Sequence, residues 1–346
     1  MAARTVRWGV LGCARVACKA MIPGIQGSCN GRVVALGSRS LEKARAVAAD
    51  FSIDRPYGSY LQVLEDPEVD AVYIPLPNAL HKEWTIRAAE HGKQALCDKP
   101  LAGDAGEATE MIEACSRNGV RLMELFANRF HPQNLEIRKC IEDGQIGKIL
   151  GMTASHSSDF PPAGDIRLSR ELKGGVLMDK GCYNVNMARF LFGAEPVRVY
   201  ARMQIHPEAG VDVWTTATLE FAGGGSAHLD CNFSLGSGVY SQSYQVFGER
   251  GQIFAPKGYT QVETYREGTL EGSSYYVSDT AAVNPSWERI DCEGVHQWRQ
   301  AVEFFSDVLL QDRPLSFPAE NGLANMRVID AIFRSARLGQ PVSLST

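Results

Sequence analysis

A chain of 346 residues, 45% hydrophobic and 22% charged, is long enough for two cores and has the composition of an ordinary globular protein. Its net charge of −5 carries no long runs, which excludes the basic footprint of a nucleic-acid binder. No stretch approaches the roughly 18 apolar residues of a membrane span. Nine cysteines without a Cys-x-x-Cys pair read as reduced thiols, neither a disulfide framework nor a zinc site. The first residues show no charged-then-apolar leader, so a cytoplasmic enzyme without a metal is expected.

Residues 5–12 form an apolar strand pattern, and 13–27 the turn and helix after it. The turn, Gly12-Cys13-Ala14-Arg15-Val16-Ala17, is a Gly-x-Ala-x-x-Ala relative of the dinucleotide fingerprint. Gly12 would make the tight turn, Ala14 would admit a pyrophosphate, and Ala17 would let helix and strand pack closely. The second strand, 32–37, leads into Ser38, Arg39 and Ser40 and a helix over 41–51, with Lys43 one turn on. NAD-selective folds place an acid at this point. A hydroxyl and a guanidinium suit the 2′-phosphate of NADP instead; otherwise Arg39 is a solvated loop residue.

Strand and helix keep alternating to about residue 150, which predicts parallel crossovers and a doubly wound sheet. The strand at 69–75 ends in Pro75, Leu76, Pro77 and Asn78, and the helix at 79–91 carries His81 and Trp84. The strand at 94–97 leads into Asp98-Lys99-Pro100, followed by a helix at 104–118 and a strand at 120–126. Ligands of such sheets bind beyond the carboxyl ends of the strands. Pro75, Asn78, His81 and Lys99 therefore share one rim, where a nicotinamide would lie. Taken alone, Lys99 could bind phosphate, pass a proton, or do nothing chemical.

Beyond about 148 the hydrophobic period changes to two. Strands are predicted at 149–157, 196–204, 213–221, 226–235, 243–249, 251–255, 261–266 and 287–292, giving a large, mostly antiparallel sheet with one face open. The open face is expected to carry polar residues, His228 and Asp230 among them, and the aromatics Trp214 and Tyr244. Gly174 and Gly175 precede a helix that ends at Gly193. Asp179 and Tyr183, four apart near its start, share a face. They read either as a proton-relay pair or as a helix-end charge and a core tyrosine.

The chain resembles the Gfo/Idh/MocA oxidoreductases. The resemblance rests on the stretch Gly9 to Ala17, on 69–78 with His81, and on Cys97-Asp98-Lys99-Pro100. Met123 to Phe126, Arg129 to Pro132, and Asp179 to Tyr183 complete it. It implies an N-terminal Rossmann domain over 1–125 and a C-terminal α+β domain over 126–346, whose open sheet makes a homodimer or homotetramer. It also implies a pyridine nucleotide and a pyranose or related substrate, oxidised as by an aldose 1-dehydrogenase or reduced as by a keto-sugar reductase. Lys99, Asp179 and Tyr183 look like the catalytic set. Gly9, Gly12, Cys13, Ala14, Arg15, Val16, Ser38, Arg39, Lys43, Pro75, Leu76, Asn78, His81, Asp98, Lys99 and Arg167 look like the cofactor contacts, with NADP preferred and NAD possible. Asp98 stands where the family has Glu, and Lys180 replaces a customary apolar residue. A nucleotide-retaining glycosidase of the same fold and a non-catalytic NADP sensor are the alternatives.

Overall fold

A computed structural model describes residues 4–235, 241–259, 265–266, 269–270, 272–279 and 286–344. The chain divides into two units, Met1–Ala127 with His296–Leu323, and Asn128–Val295 with Ala324–Thr346. The domain expected as one run over 126–346 thus loses the segment 296–323 to the first unit.

In the first unit six parallel strands, β1 (Val6–Leu11), β2 (Gly31–Gly37), β3 (Arg55–Tyr57), β4 (Ala71–Ile74), β5 (Gln94–Asp98) and β6 (Leu122–Leu125), lie in the order β3-β2-β1-β4-β5-β6. Trp8, Val10, Leu11, Val72, Tyr73, Leu96 and Cys97 are fully buried, as helices on both faces of a parallel sheet require. The crossover helices are capped where the sequence offers a short polar side chain. Ser40 accepts the Lys43 amide ahead of Leu41–Asp50, and Asp104 accepts the Glu107 amide ahead of Ala105–Arg117. Strand order reverses at β1 and β4, the switch point where such sheets take ligands. The helix Gln297–Gln311 belongs to this unit because of its apolar stripe. Phe305 meets Trp8 at 5.8 Å between ring centroids, and Asn30 Nδ2 donates to Glu303 O (2.9 Å) and Asp307 Oδ1 (2.8 Å).

The second unit holds a nine-stranded sheet. Its strands are β7 (Ile149–Asp159), β8 (Pro196–Ile205), β9 (Asp212–Phe221), β10 (Ser226–Leu235), β11 (Ser241–Gly248), β12 (Gly251–Ala255), β15 (Ser273–Asp279), β16 (Glu288–Cys292) and β17 (Val342–Ser343). A separate pair, β13 (Tyr265–Arg266) and β14 (Thr269–Leu270), stands apart from it. The order is β16-β15-β12-β11-β7-β10-β9-β8-β17, antiparallel except where β10 runs parallel to β7. Alternation sorts the faces as expected along β10, with Ala227, Leu229, Cys231 and Phe233 buried. Trp214 faces outward, 43% exposed, and donates from Nε1 to Asp230 Oδ2 at 2.7 Å. Tyr244 corrects the expectation. It is buried beside Val246 on the covered face, and its hydroxyl donates to Asn134 Oδ1 at 2.6 Å. The phenol found a polar partner under the sheet, which periodicity cannot reveal. The 261–264 part of the strand expected at 261–266 lies outside the described residues.

His131 caps the helix Pro132–Glu142 by accepting the Gln133 amide at Nδ1 (3.2 Å), a bond that needs an unprotonated nitrogen. Burial pushes this imidazole down to about 4. The unfolded chain protonates it near 6.5, so its contribution is complete above about pH 6.5 and is lost as pH falls toward 4. His131→Asn keeps a capping acceptor without a titrating ring. Urea unfolding of both proteins from pH 7 to pH 4 should show the wild type losing up to about 3 kcal/mol more than the variant.

Candidate active site

Gly12 follows β1 with φ +121°, a conformation L side chains rarely adopt, and a Cβ there would meet Leu76 Cδ2 at 3.3 Å. The helix over 15–26 starts at once, with the Cys18 amide bonded to Ala14 O at 3.1 Å and a wide π turn at Ala17–Met21. Cys13, Ala14 and Val16 are half-buried and Arg15 is exposed, so the loop keeps an open side toward a ligand. Gly9 serves packing instead: a Cβ on it would come within 2.5 Å of Val63 Cγ1.

At the end of β2, Ser38 hydrogen-bonds to Cys13, whose thiol burial pushes up while Ser38 and the Lys43 ammonium pull it down. Arg39 hydrogen-bonds to the Tyr60 hydroxyl, and the Tyr60 ring meets Trp84 edge-on at 4.9 Å. Arg39 and Lys43 are both exposed cations on one side of the glycine turn, with no carboxylate at 38–40. Small loop, helix start and paired cations fit a pyridine dinucleotide bearing a 2′-phosphate.

The rim beyond β4 and β5 is built on His81. This ring is completely buried and places Nδ1 2.9 Å from Pro100 O and Nε2 2.8 Å from Leu76 O. His81 was expected to touch the cofactor; it ties together the two loops that would. Burial pushes its pKa down, opposed by Asp98 and by the carbonyls of Leu76, Pro100 and Leu101. Both neighbours only accept, so one bond lacks its proton whenever the ring is neutral. Pro75 and Leu76 are buried, Asn78 opens the helix Asn78–Glu90, and Lys99 stands half-buried after β5. Burial pushes the Asp98 carboxyl up, with Lys99, His81 and a bond from the Tyr73 hydroxyl acting against it.

In the second unit the helix over 176–192 opens with a wide π turn, Leu177–Gly181, and continues as Cys182–Phe192. Asp179 lies in the turn. Its Oδ2 accepts Arg167 Nε at 2.9 Å and stands 3.7 Å from Lys180 Nζ, whose side chain is only 13% exposed. Lys180 therefore points inward. Arg167 also donates to Asp165, and these two acids hold its pKa above the usual arginine value, Asp179 contributing most. Expected as a cofactor contact, Arg167 is here the partner of Asp179. Tyr183 is buried among rings: His156 meets it edge-on at 5.2 Å, and Tyr259 lies 5.9 Å away and stacks on His156 at 4.9 Å.

Cys13, Ser38, Arg39 and Lys43 are thus brought together at one end of the first unit, and Pro75, Leu76, Asn78, His81, Asp98 and Lys99 at its rim. Arg167, Asp179 and Tyr183 belong to the second unit. Sequence reasoning missed Tyr60, Tyr73, His156 and Tyr259. Tyr73 was legible as an inward residue of a buried strand; the others depend on contacts between distant segments.

A doubly wound sheet with a glycine turn at its switch point and a lysine at its rim defines a nicotinamide-nucleotide oxidoreductase. The chain belongs to the Gfo/Idh/MocA family: residues 6–126 match the oxidoreductase family's NAD-binding Rossmann fold, and 134–254 its C-terminal domain. It is 34% identical over 338 residues to D-xylose 1-dehydrogenase (NADP(+)) 2 of Haloferax volcanii, covering 97% of this chain and 99% of that one. It is 32% identical to dTDP-3,4-didehydro-2,6-dideoxy-alpha-D-glucose 3-reductase of Actinomadura kijaniata, covering 97% of each. Among solved structures, the aldose-aldose oxidoreductase of Caulobacter crescentus with glycerol superposes with a TM-score of 0.88 at 29% identity, over 99% of this chain and 100% of that one. The A. kijaniata 3-ketoreductase KijD10 with NADP and TDP-benzene gives 0.87 at 27%, over 96% and 98%.

Replacing His81 by leucine, of similar size, removes the ring's polar link between the two loops. The loss should be about 2 kcal/mol of stability. Titration calorimetry should show NADP binding weakened about tenfold or more, with the far-ultraviolet dichroism of the wild type retained.

Proposed function

We propose that the protein is an NADP-preferring oxidoreductase that transfers hydride between the nicotinamide and a pyranose sugar or sugar derivative. It would act as an aldose 1-dehydrogenase or a keto-sugar reductase, on CH–OH groups. The observation that carries this is the Asp179–Tyr183 pair, its carboxylate set between Arg167 and Lys180, in a chain that also presents Lys99 beyond β5. Similarity to a xylose dehydrogenase and a keto-sugar reductase supports the substrate class. Ser38, Arg39 and Lys43, with no acid beside them, support NADP.

The residues from Gly12 to Val16 would hold the pyrophosphate, Ser38, Arg39 and Lys43 the 2′-phosphate, and Asn78, Asp98 and Lys99 the nicotinamide ribose. The nicotinamide, when bound, accepts or supplies the hydride. Lys99 and Asp179 orient the substrate oxygen. Tyr183 carries the hydroxyl proton; Lys99 can exchange that role with Tyr183. Asp179, already the counter-ion of two cations, accepts hydrogen bonds and is not the proton carrier.

The open sheet face exposes Tyr200 (38%) and Trp214 (43%), and Tyr200, Arg202, His228 and Asp230 line a shallow hollow of about 600 Å³. Such a face supports a homodimer or homotetramer through this sheet. Nine free thiols favour a reducing compartment, the cytoplasm.

The test is nicotinamide absorbance with NADP⁺ and NAD⁺ against D-xylose, other aldoses, inositols and diols, and with the reduced cofactors against keto-sugars. No turnover with any pair, or sugar release without net reduction, would remove the reading. Lys99→Ala and Tyr183→Phe should each lower kcat by about 10² to 10⁴ while NADP binding persists. Arg39→Asp should move the ratio of the two nucleotide affinities toward NAD by about tenfold or more; an unchanged ratio would sink the NADP assignment.

A further inference from the structure

The helix that carries Asp179 and Tyr183 has no cap of its own. Gly174 and Gly175 precede it, and Val176 provides no capping side chain. The missing acceptor comes from another element. Asp212, the first residue of β9 and 2% exposed, accepts the Leu177 amide at Oδ2 (2.8 Å) and the Thr215 hydroxyl at the same oxygen (2.7 Å). Its Oδ1 lies against Gly175, where a Cβ would come within 2.1 Å, and φ at Gly175 is +109°. Among the described residues this Oδ1 has no hydrogen-bond partner. Burial pushes the Asp212 carboxyl up, against the bonds from Thr215, Leu177 and its own amide.

A buried acid with one unsatisfied oxygen costs stability, and a serine cap on the helix itself would close the helix more cheaply. What Asp212 adds is a link from the wide turn to the sheet. Leu177 begins the turn that holds Asp179, the Asp179 amide bonds to Gly175 O at 3.1 Å, and Tyr183 follows just beyond the turn. Beneath lies a packed set of Val176, Val213, Cys231 and Phe233. We propose that Asp212 is a positioning residue for the reaction: it pins the turn to β9 and so sets where Asp179 and Tyr183 stand. The inference rests on the roles given above to those two residues. Gly175 is its obligatory counterpart.

The test compares Asp212→Ala, Asp212→Asn, Thr215→Val and Tyr183→Phe, with D-xylose and NADP⁺ as the probe pair, and adds hydrogen exchange of the amides at 177–183. Asp212→Ala should lower kcat about thirtyfold with KM and NADP affinity within about threefold, and should speed exchange at Leu177. Asp212→Asn keeps an oxygen for that amide and should restore both readouts to within about threefold of wild type. Thr215→Val, which leaves the carboxyl in place but less fixed, should fall between them and serves if the alanine variant does not fold. In the Tyr183→Phe background, Asp212→Ala should cost less than in the wild type, because part of its effect runs through the phenol.

Several outcomes overturn the proposal: a folded alanine variant with wild-type kcat, exchange at 177–183 unchanged, or fully additive losses with Tyr183→Phe. Asparagine and Thr215→Val variants with identical kcat and exchange overturn it where alanine cannot be purified. Wild-type turnover in Tyr183→Phe, or no turnover by the wild type of any sugar and nucleotide pair in the screen above, instead defeats the reading of the site. The exchange pattern then still decides whether Asp212 holds the turn.

Discussion

A lysine on a four-carbon stem aims its ammonium only as well as its backbone is held. The loop after β5 is held by groups other than Lys99 itself. His81 reaches Pro100 O, Glu124 Oε1 accepts the Leu101 amide at 2.8 Å, and Gly322 leaves space that a Cβ would close to 2.8 Å from Leu101 Cδ2. The same imidazole reaches Leu76 O, so one ring lies against the loops after both β4 and β5. A single buried ring thus fixes both the proline turn beside the expected nicotinamide and the lysine beside it, as a supporting layer should.

The second unit secures its reactive residues by charge balance and ring packing. Asp165 and Asp179 face Arg167 and Lys180, two acids against two bases, so the half-buried group carries no net charge to desolvate. Neutralised in that way, Asp179 suits orienting a hydroxyl better than trading protons. Tyr183 in turn lies against His156 and Tyr259, whose mutual stacking leaves little rotamer freedom for any of the three.

The Rossmann half was legible because its signals are local: buried runs between helices, a glycine-alanine turn, and short polar caps at Ser40 and Asp104. The period-two strands of the second sheet were legible for the same reason. What was not legible depends on distant partners. An amphipathic stripe says that the helix Gln297–Gln311 covers something, not that Trp8 is beneath it. Nothing near Tyr244 announces that Asn134 waits under the sheet. His81 looked like a ligand because it sits in a motif, yet its bonds run to carbonyls that sequence cannot place. Asp212 follows a turn and reads as a loop residue until the Leu177 amide appears beside it.

The spacing of Asp179 and Tyr183 also hides a feature. As an unbroken α-helix the pair would face one way, and the two residues would differ only by the ordinary offset of a four-residue step. The turn at Leu177–Gly181 is wide, so it takes up one residue more than a regular turn does. Wound regularly, everything after it would be rotated by about 100° relative to what precedes it, and Tyr183 would leave its place against His156 and Tyr259. A wide turn forfeits regular hydrogen bonding and survives where neighbours fix it from outside. Here the neighbours are a glycine with no side chain to obstruct and a carboxylate from β9. The first unit repeats the device at Ala17–Met21, directly after the glycine turn, where Ala17, Ala20 and Met21 are buried. In both units the irregular turn falls at the start of a helix that carries proposed site residues. The extra residue there sets the direction of side chains that a regular helix would point elsewhere.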